Sequence, residues 1–173
     1  GLNNTGNFVL DYIETVNITS NQDTAKTATA INIINLKASA ADKAKLTTIN
    51  VKGDGNTELK INDHLKLKTV DASALKGKFT FDSTGKMDAA GTIKGGLADD
   101  KITFDALSGT SVTGGAGNDT FNVNKLGTGA GTFGADRLSS VTDFSRGDKL
   151  HLGNTVANKN SIHKYEADGS LGC

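Results

Sequence analysis

Apolar residues recur along the chain in short runs whose spacing is more regular than isolated strands would give. Val70, Ile93, Val112 and Val141 each follow Thr or Ser, and nine residues after them stand Phe79, Ile102, Phe121 and Leu150. Each second member opens an alternating run: Phe79-Thr80-Phe81, Ile102-Thr103-Phe104, Phe121-Asn122-Val123 and Leu150-His151-Leu152. A period of two puts both apolar residues of a run on one face of a strand. Ile49 with Leu59 and Ile61 makes a fifth pair at the looser spacing of ten, and Val16, Ile34 and Val51 continue the series upstream at about 18 residues per step.

The leading residues Ile49, Val70, Ile93, Val112 and Val141 lie 21, 23, 19 and 29 residues apart, so a roughly constant unit varies by loop insertion. Two short strands per unit cannot bury an apolar face alone, whereas stacked units share one narrow core. The pattern predicts a β-solenoid over residues 1–153 with irregular N-terminal coils; residues 154–173 lose the pattern and read as a cap or flexible tail. Only Ala38 to Lys45 reads as a helical turn.

Composition agrees with a thin, repetitive core. Leu, Ile, Val and Phe supply 40 of 173 residues, just above the level at which ordering usually fails. Sixteen Asp face only three Glu, alongside 16 Asn, 21 Thr, 21 Gly and no Pro. Turns and strands are favoured over helices, and missing Pro suits strands that must all donate their N–H groups. Nineteen basic and nineteen acidic residues leave no net charge, which argues against nucleic acid or an anionic membrane as partner. No run reaches the length of a membrane span, and no signal opens the chain, so export would need a signal elsewhere. The single Cys173 has no partner in the chain and reads as a cloning scar or labelling handle.

The chemistry sits between two of the strands. Gly114-Gly115-Ala116-Gly117-Asn118-Asp119-Thr120-Phe121-Asn122 matches the nonapeptide G-G-x-G-x-D-x-apolar-x at every fixed position. Nineteen residues earlier, Gly95-Gly96-Leu97-Ala98-Asp99-Asp100-Lys101-Ile102-Thr103 repeats it with Ala98 in place of the third Gly. Calcium takes six to eight oxygens, and a Gly-rich turn with a short Asp can present both carbonyls and a carboxylate. Gly-Asp turns also serve simply to turn corners. The motif resembles the repeats-in-toxin family, whose parallel β-roll holds calcium between neighbouring turns. That resemblance implies an all-β, right-handed parallel β-solenoid (β-roll or β-helix) with calcium-binding turns. It implies Asp100 and Asp119 as carboxylate ligands, Asp99 as a weaker one, and carbonyls of Leu97, Ala98, Gly114, Ala116 and Gly117 as further ligands. Ala98 resists positive φ, so its site is expected to be distorted or weak.

The stretch Asp136 to Leu150 is similar to the pattern that closes β-rolls of secreted bacterial proteins. Asp136, Asp143 and Asp148 are then either ligands of a further ion or salt-bridge partners of Arg137, Arg146 or Lys149. Upstream, Ile13 to Thr19 and Leu67 to Gly77 resemble strand-turn units of bacterial surface-layer proteins and large type-I-secreted adhesins. Asp71 is expected to cap a turn, and Asp54 in Gly53-Asp54-Gly55-Asn56 to do turn chemistry before cation binding.

An enzyme finds little support. His64, His151 and His163 make no zinc spacing, and no nucleophile elbow, metalloprotease helix or phosphate loop occurs. A polysaccharide lyase built on a β-helix is the enzymatic rival, and an ice-binding Thr array, with Thr27-Ala28-Thr29 as its one instance, is a second rival. The expectation is a non-enzymatic, calcium-binding structural segment of a secreted surface-layer protein, or alternatively an adhesin or other secreted domain of the repeats-in-toxin type. Its expected place is extracellular, at the bacterial cell surface. Its expected partners are further copies or neighbouring domains of the same protein in a lattice, with a cell-surface glycan as a further candidate.

Overall fold

The computed structural model describes residues 6–22, 29–124 and 138–153, with the backbone of 164–165 and 171–172. Strands β1 (Phe8–Val9), β3 (Ile31–Lys37), β5 (Asn56–Ile61), β7 (Phe79–Asp82), β9 (Lys101–Asp105), β11 (Thr120–Asn124) and β13 (Lys149–Leu152) form one sheet in that order. Strands β2 (Thr15–Thr19), β4 (Thr48–Gly53), β6 (Leu67–Leu75), β8 (Met87–Lys94), β10 (Ser111–Thr113) and β12 (Ser140–Val141) form the other. Every pairing within these two sheets is parallel. From β2 to β13 the chain alternates between the sheets, one strand to each per coil, a path consistent with a parallel β-solenoid.

The predicted leads do stack. Val16, Ile49, Val70, Ile93, Val112 and Val141 form one continuous ladder across the even-numbered strands. Ile34, Leu59, Phe81, Ile102, Phe121 and Leu150 form its counterpart in the odd-numbered sheet. Two expectations need correcting. Phe81, not Phe79, stands opposite Ile102, and Phe79 pairs with Thr57. A slip of two keeps the same face inward, so alternation alone cannot detect it. Nor do Val16, Ile34 and Val51 make one upstream ladder: Val51 pairs with Ile18, and Ile34 belongs to the opposite sheet. An 18-residue step mixes the sheets because the N-terminal coils are longer than that.

Unequal coil lengths are absorbed locally. Register shifts fall between Asn50 and Lys52 in the β4–β6 pair and between Leu67 and Thr69 in the β6–β8 pair. The second leaves extra residues in β8, with Ala90 at φ 57° and Gly91 against the Lys68 carbonyl. The expected helical turn shortens to a 3-10 turn at Ala41–Lys43. In the proposed tail, β14 (Lys164–Tyr165) and β15 (Leu171–Gly172) pair antiparallel with each other; the rest of it lies outside the described residues.

The core is a narrow column between the sheets. Ile49, Val70, Ile93 and Val112 are fully buried on one wall, and Phe79, Ile102 and Phe121 on the other. Burying one such side chain contributes about 1.5–3 kcal/mol. At the last described coil the ladder opens: Leu150 is 47% exposed, with Phe144 and Leu138 exposed beside it.

Candidate metal site at the coil corner

At the start of the odd-numbered strands from β5 to β13, or one residue before it, one position stacks on its counterparts in adjacent coils. Thr57 pairs with Phe79, and one residue before the pairs Thr80–Lys101, Lys101–Thr120 and Thr120–Lys149 stand Phe79, Asp100, Asp119 and Asp148. The corner column therefore changes along the stack from Thr and Phe to three Asp.

Asp100 and Asp119 are 1% and 2% exposed. Asp100 Oδ1 accepts the Phe79 N–H at 2.7 Å, and its Oδ2 accepts the Gly96 N–H of its own turn. Asp119 Oδ1 accepts the Asp100 N–H at 2.9 Å, and Asp148 Oδ1 accepts the Asp119 N–H at 2.9 Å. Each aspartate thus clips its coil onto the one before. The second Asp148 oxygen accepts the Ser145 N–H at 2.8 Å and closes the last turn on itself. Asp143, at the other end of that turn, grips the Gly114 and Gly115 N–H groups with one oxygen each, both at 2.8 Å. Asp99 Oδ1 reaches the opposite way and accepts the Asn118 N–H at 2.9 Å.

Among the described residues Asp143 and Asp148 make no ion pair with Arg146 or Lys149 and accept backbone N–H groups instead; Asp136 and Arg137 lie outside the described residues. Asp71 caps its own turn through the Ser73 N–H, as expected, whereas Asp54 reaches out of its turn and accepts the N–H of Gln22, 32 residues away.

The two nonapeptide turns are not conformational copies. Gly115 and Gly117 adopt φ of 101° and 115°, whereas neither Gly96 nor Ala98 is left-handed. Ala98 is therefore accommodated by changing the turn. The turns also stack in contact: a Cβ on Gly117 would lie 2.7 Å from the Ala98 carbonyl carbon, and one on Gly114 would collide with the Asp119 carboxylate. Of the carbonyls implied as ligands, that of Gly114 faces Gly95 and that of Ala98 faces Gly117; the Ala116 N–H is bonded to the Gly96 carbonyl, and Leu97 is exposed with its N–H on the Leu75 carbonyl.

The electrostatics follow from burial. Desolvation, opposed by the amide bonds and reinforced by Asp119 and Asp99, pushes the Asp100 carboxyl up to about 7. Asp119 is raised too, again chiefly by burial, with Asp148, Asp143 and Asp99 adding repulsion. Five carboxylates therefore crowd one corner, and no Lys or Arg pairs with any of them among the described residues. Among those residues no three His, Cys, Asp or Glu side chains converge as a preformed metal cluster.

The N-terminal counterpart was not foreseen from the sequence. Thr57, 1% exposed, donates to Ser20 Oγ at 2.7 Å, and Asn32 Nδ2 donates to the same oxygen at 2.9 Å. These residues lie 12 to 37 positions apart and share no motif, so no local signal could have joined them. Compared with known proteins, the chain matches no family model, no curated protein and no solved structure.

Proposed function

We propose that the chain is a calcium-binding structural segment of a secreted bacterial surface-layer protein, a right-handed parallel β-solenoid whose ions lie between the Asp-bearing turns. The observation that carries this reading is the stack of Asp100 on Asp119, both buried, mutually repelling and without a cationic partner among the described residues. Amide bonds offset only part of the cost of burying these carboxylates, and a divalent cation would reduce the remainder. The donor set suits one: it is oxygen throughout, and a carboxylate oxygen that accepts one N–H retains a second lone pair. Asp119 and Asp100 would supply the carboxylates and turn carbonyls the remaining oxygens, with Asp99 as a weaker ligand and Asp143 and Asp148 supporting the next turn. Calcium at about 100 times its dissociation constant would add about 2.7 kcal/mol per site to a thin core.

In this role the segment is not catalytic, and it assembles with further copies or neighbouring domains at the cell surface. An adhesin remains the alternative, separated by testing for lattice formation in the electron microscope; activity on polygalacturonate would instead reveal a lyase. A calcium-free reading is favoured by the amide bonds to Asp100, Asp119, Asp143 and Asp148, which already clip one coil to the next.

One experiment separates these. Far-UV circular dichroism is followed during calcium titration of the chelated protein, with Asp119→Ala and Asp119→Asn in parallel. Asn retains an acceptor for the Asp100 N–H but removes the charge. A β-signal that grows with calcium, and an Asp119→Asn variant that needs at least tenfold more, supports the ion-bound stack. A spectrum indifferent to chelation reduces the aspartates to corner clips.

A further inference from the structure

The apolar core is shared unevenly along the stack. Between Leu46 and Phe81, ten apolar side chains larger than Ala are no more than 2% exposed, whereas among the described residues from Met87 to Gly153 only Ile93, Ile102, Val112 and Phe121 are. The strands follow the same gradient: β4, β5 and β6 run for six, six and nine residues, but β10, β11 and β12 for three, five and two. Only Ser111 and Val112 join β10 to β12. The corner position changes with the core. Over the dense region it is neutral, held by Thr57 on Ser20 and by the buried Phe79; over the sparse region it is Asp100, Asp119 and Asp148.

From this division we infer that the chain folds as two units: the coils from β3 to β7 hold together without calcium, and the coils from β9 to β13 stack on them only when calcium is bound, so the ion sets how far the stack extends. Coils of a solenoid touch only their neighbours, and stability is gained or lost coil by coil. A ligand stabilises only the structure that binds it, so an ion between Asp-bearing turns acts on those coils and leaves the neutral ones as they are. The dense region has enough buried apolar surface to stand alone and no carboxylate at its corner to neutralise. Asp100 marks the junction. Its Oδ1 accepts the Phe79 N–H, and the Leu97 N–H of the same turn reaches the Leu75 carbonyl, so the first acidic turn is fastened directly onto the last neutral coil. The inference rests on the ion-bound reading of these turns and adds where along the chain calcium acts.

The test is backbone amide exchange on the whole chain, read by mass spectrometry in chelator and in calcium, since exchange resolves units that open separately. In chelator the amides of β4 to β7 should exchange at least a hundredfold more slowly than an unstructured chain, and those of β9 to β13 should not; calcium should protect the second set at least a hundredfold. Two buried substitutions then test the direction of dependence. Leu59→Ala should remove protection of β4 to β7 in chelator and raise the calcium needed to protect β9 to β13 at least tenfold. Phe121→Ala should change protection of β4 to β7 in chelator less than threefold. Loss of that protection in Phe121→Ala overturns the division. So does a wild type unprotected throughout in chelator and protected throughout in calcium, an outcome that leaves the ion-bound stack standing. Exchange that is identical with and without calcium overturns both.

Discussion

One corner column runs the length of the stack, yet its two halves are built by different chemistry. In the N-terminal half, Thr57 is buried within a hydroxyl network to Ser20 and Asn32, and Phe79 simply joins the core. In the C-terminal half the same column holds Asp100, Asp119 and Asp148, which cap backbone N–H groups across coils. Both solutions satisfy the corner's polar groups, but only the second concentrates charge. The first half is therefore self-sufficient, while stability in the second responds to protons and cations.

Moving charge into the neutral half gives the largest expected effect. Thr57→Asp buries a carboxylate beside Ser20 with no arranged amide donors, and should cost about 3 kcal/mol or more. That corresponds to a melting temperature lower by roughly 6–12 °C. Calcium should not restore it; rescue by calcium would show that the halves do not differ in kind.

The pH dependence comes next. Asp100 is raised from 3.8 to about 7 in the folded chain, so between those values the folded state binds more protons than the unfolded one. Stability of the chelated protein should then fall as pH rises from about 4 to about 7 and level off above. Calcium displaces the proton and should flatten that slope. A melting temperature that rises over this window without calcium would contradict the buried carboxylate.

The smallest effect is expected from Ala98→Gly. Ala98 sits in an ordinary backbone region, so Gly should cost about 0.5–1 kcal/mol in the chelated protein through added freedom of the unfolded chain. Restoring the third glycine should also lower the calcium needed for half-maximal folding. An unchanged calcium midpoint would show that the 95–100 turn takes no part in ion binding.

Much of the architecture was legible in the chain because stacking imposes repetition. Val70, Ile93, Val112 and Val141 could be aligned by spacing alone, since each must fill the same slot in a narrow core. Phe79 and Phe81 could not be told apart, because both face inward and only the neighbouring coil decides which meets Ile102. Asp100 and Asp119 were legible as a pair through their shared nonapeptide, but the amide partners were not, since the Phe79 and Asp100 N–H groups lie 21 and 19 residues away from the oxygens they reach. Asp143 illustrates the same limit: its two oxygens meet Gly114 and Gly115 across sequence separations of 29 and 28 residues.

By itself the sequence determined the period, the strand faces and the corner at which carboxylates collect, because alternation and motif spacing are local properties of the backbone. Tertiary structure alone decided the register of each coil on the next, the burial that raises Asp100, and the hydroxyl network that replaces it at Thr57. Those depend on contacts between residues far apart in the chain, which exist only once the sheets have paired.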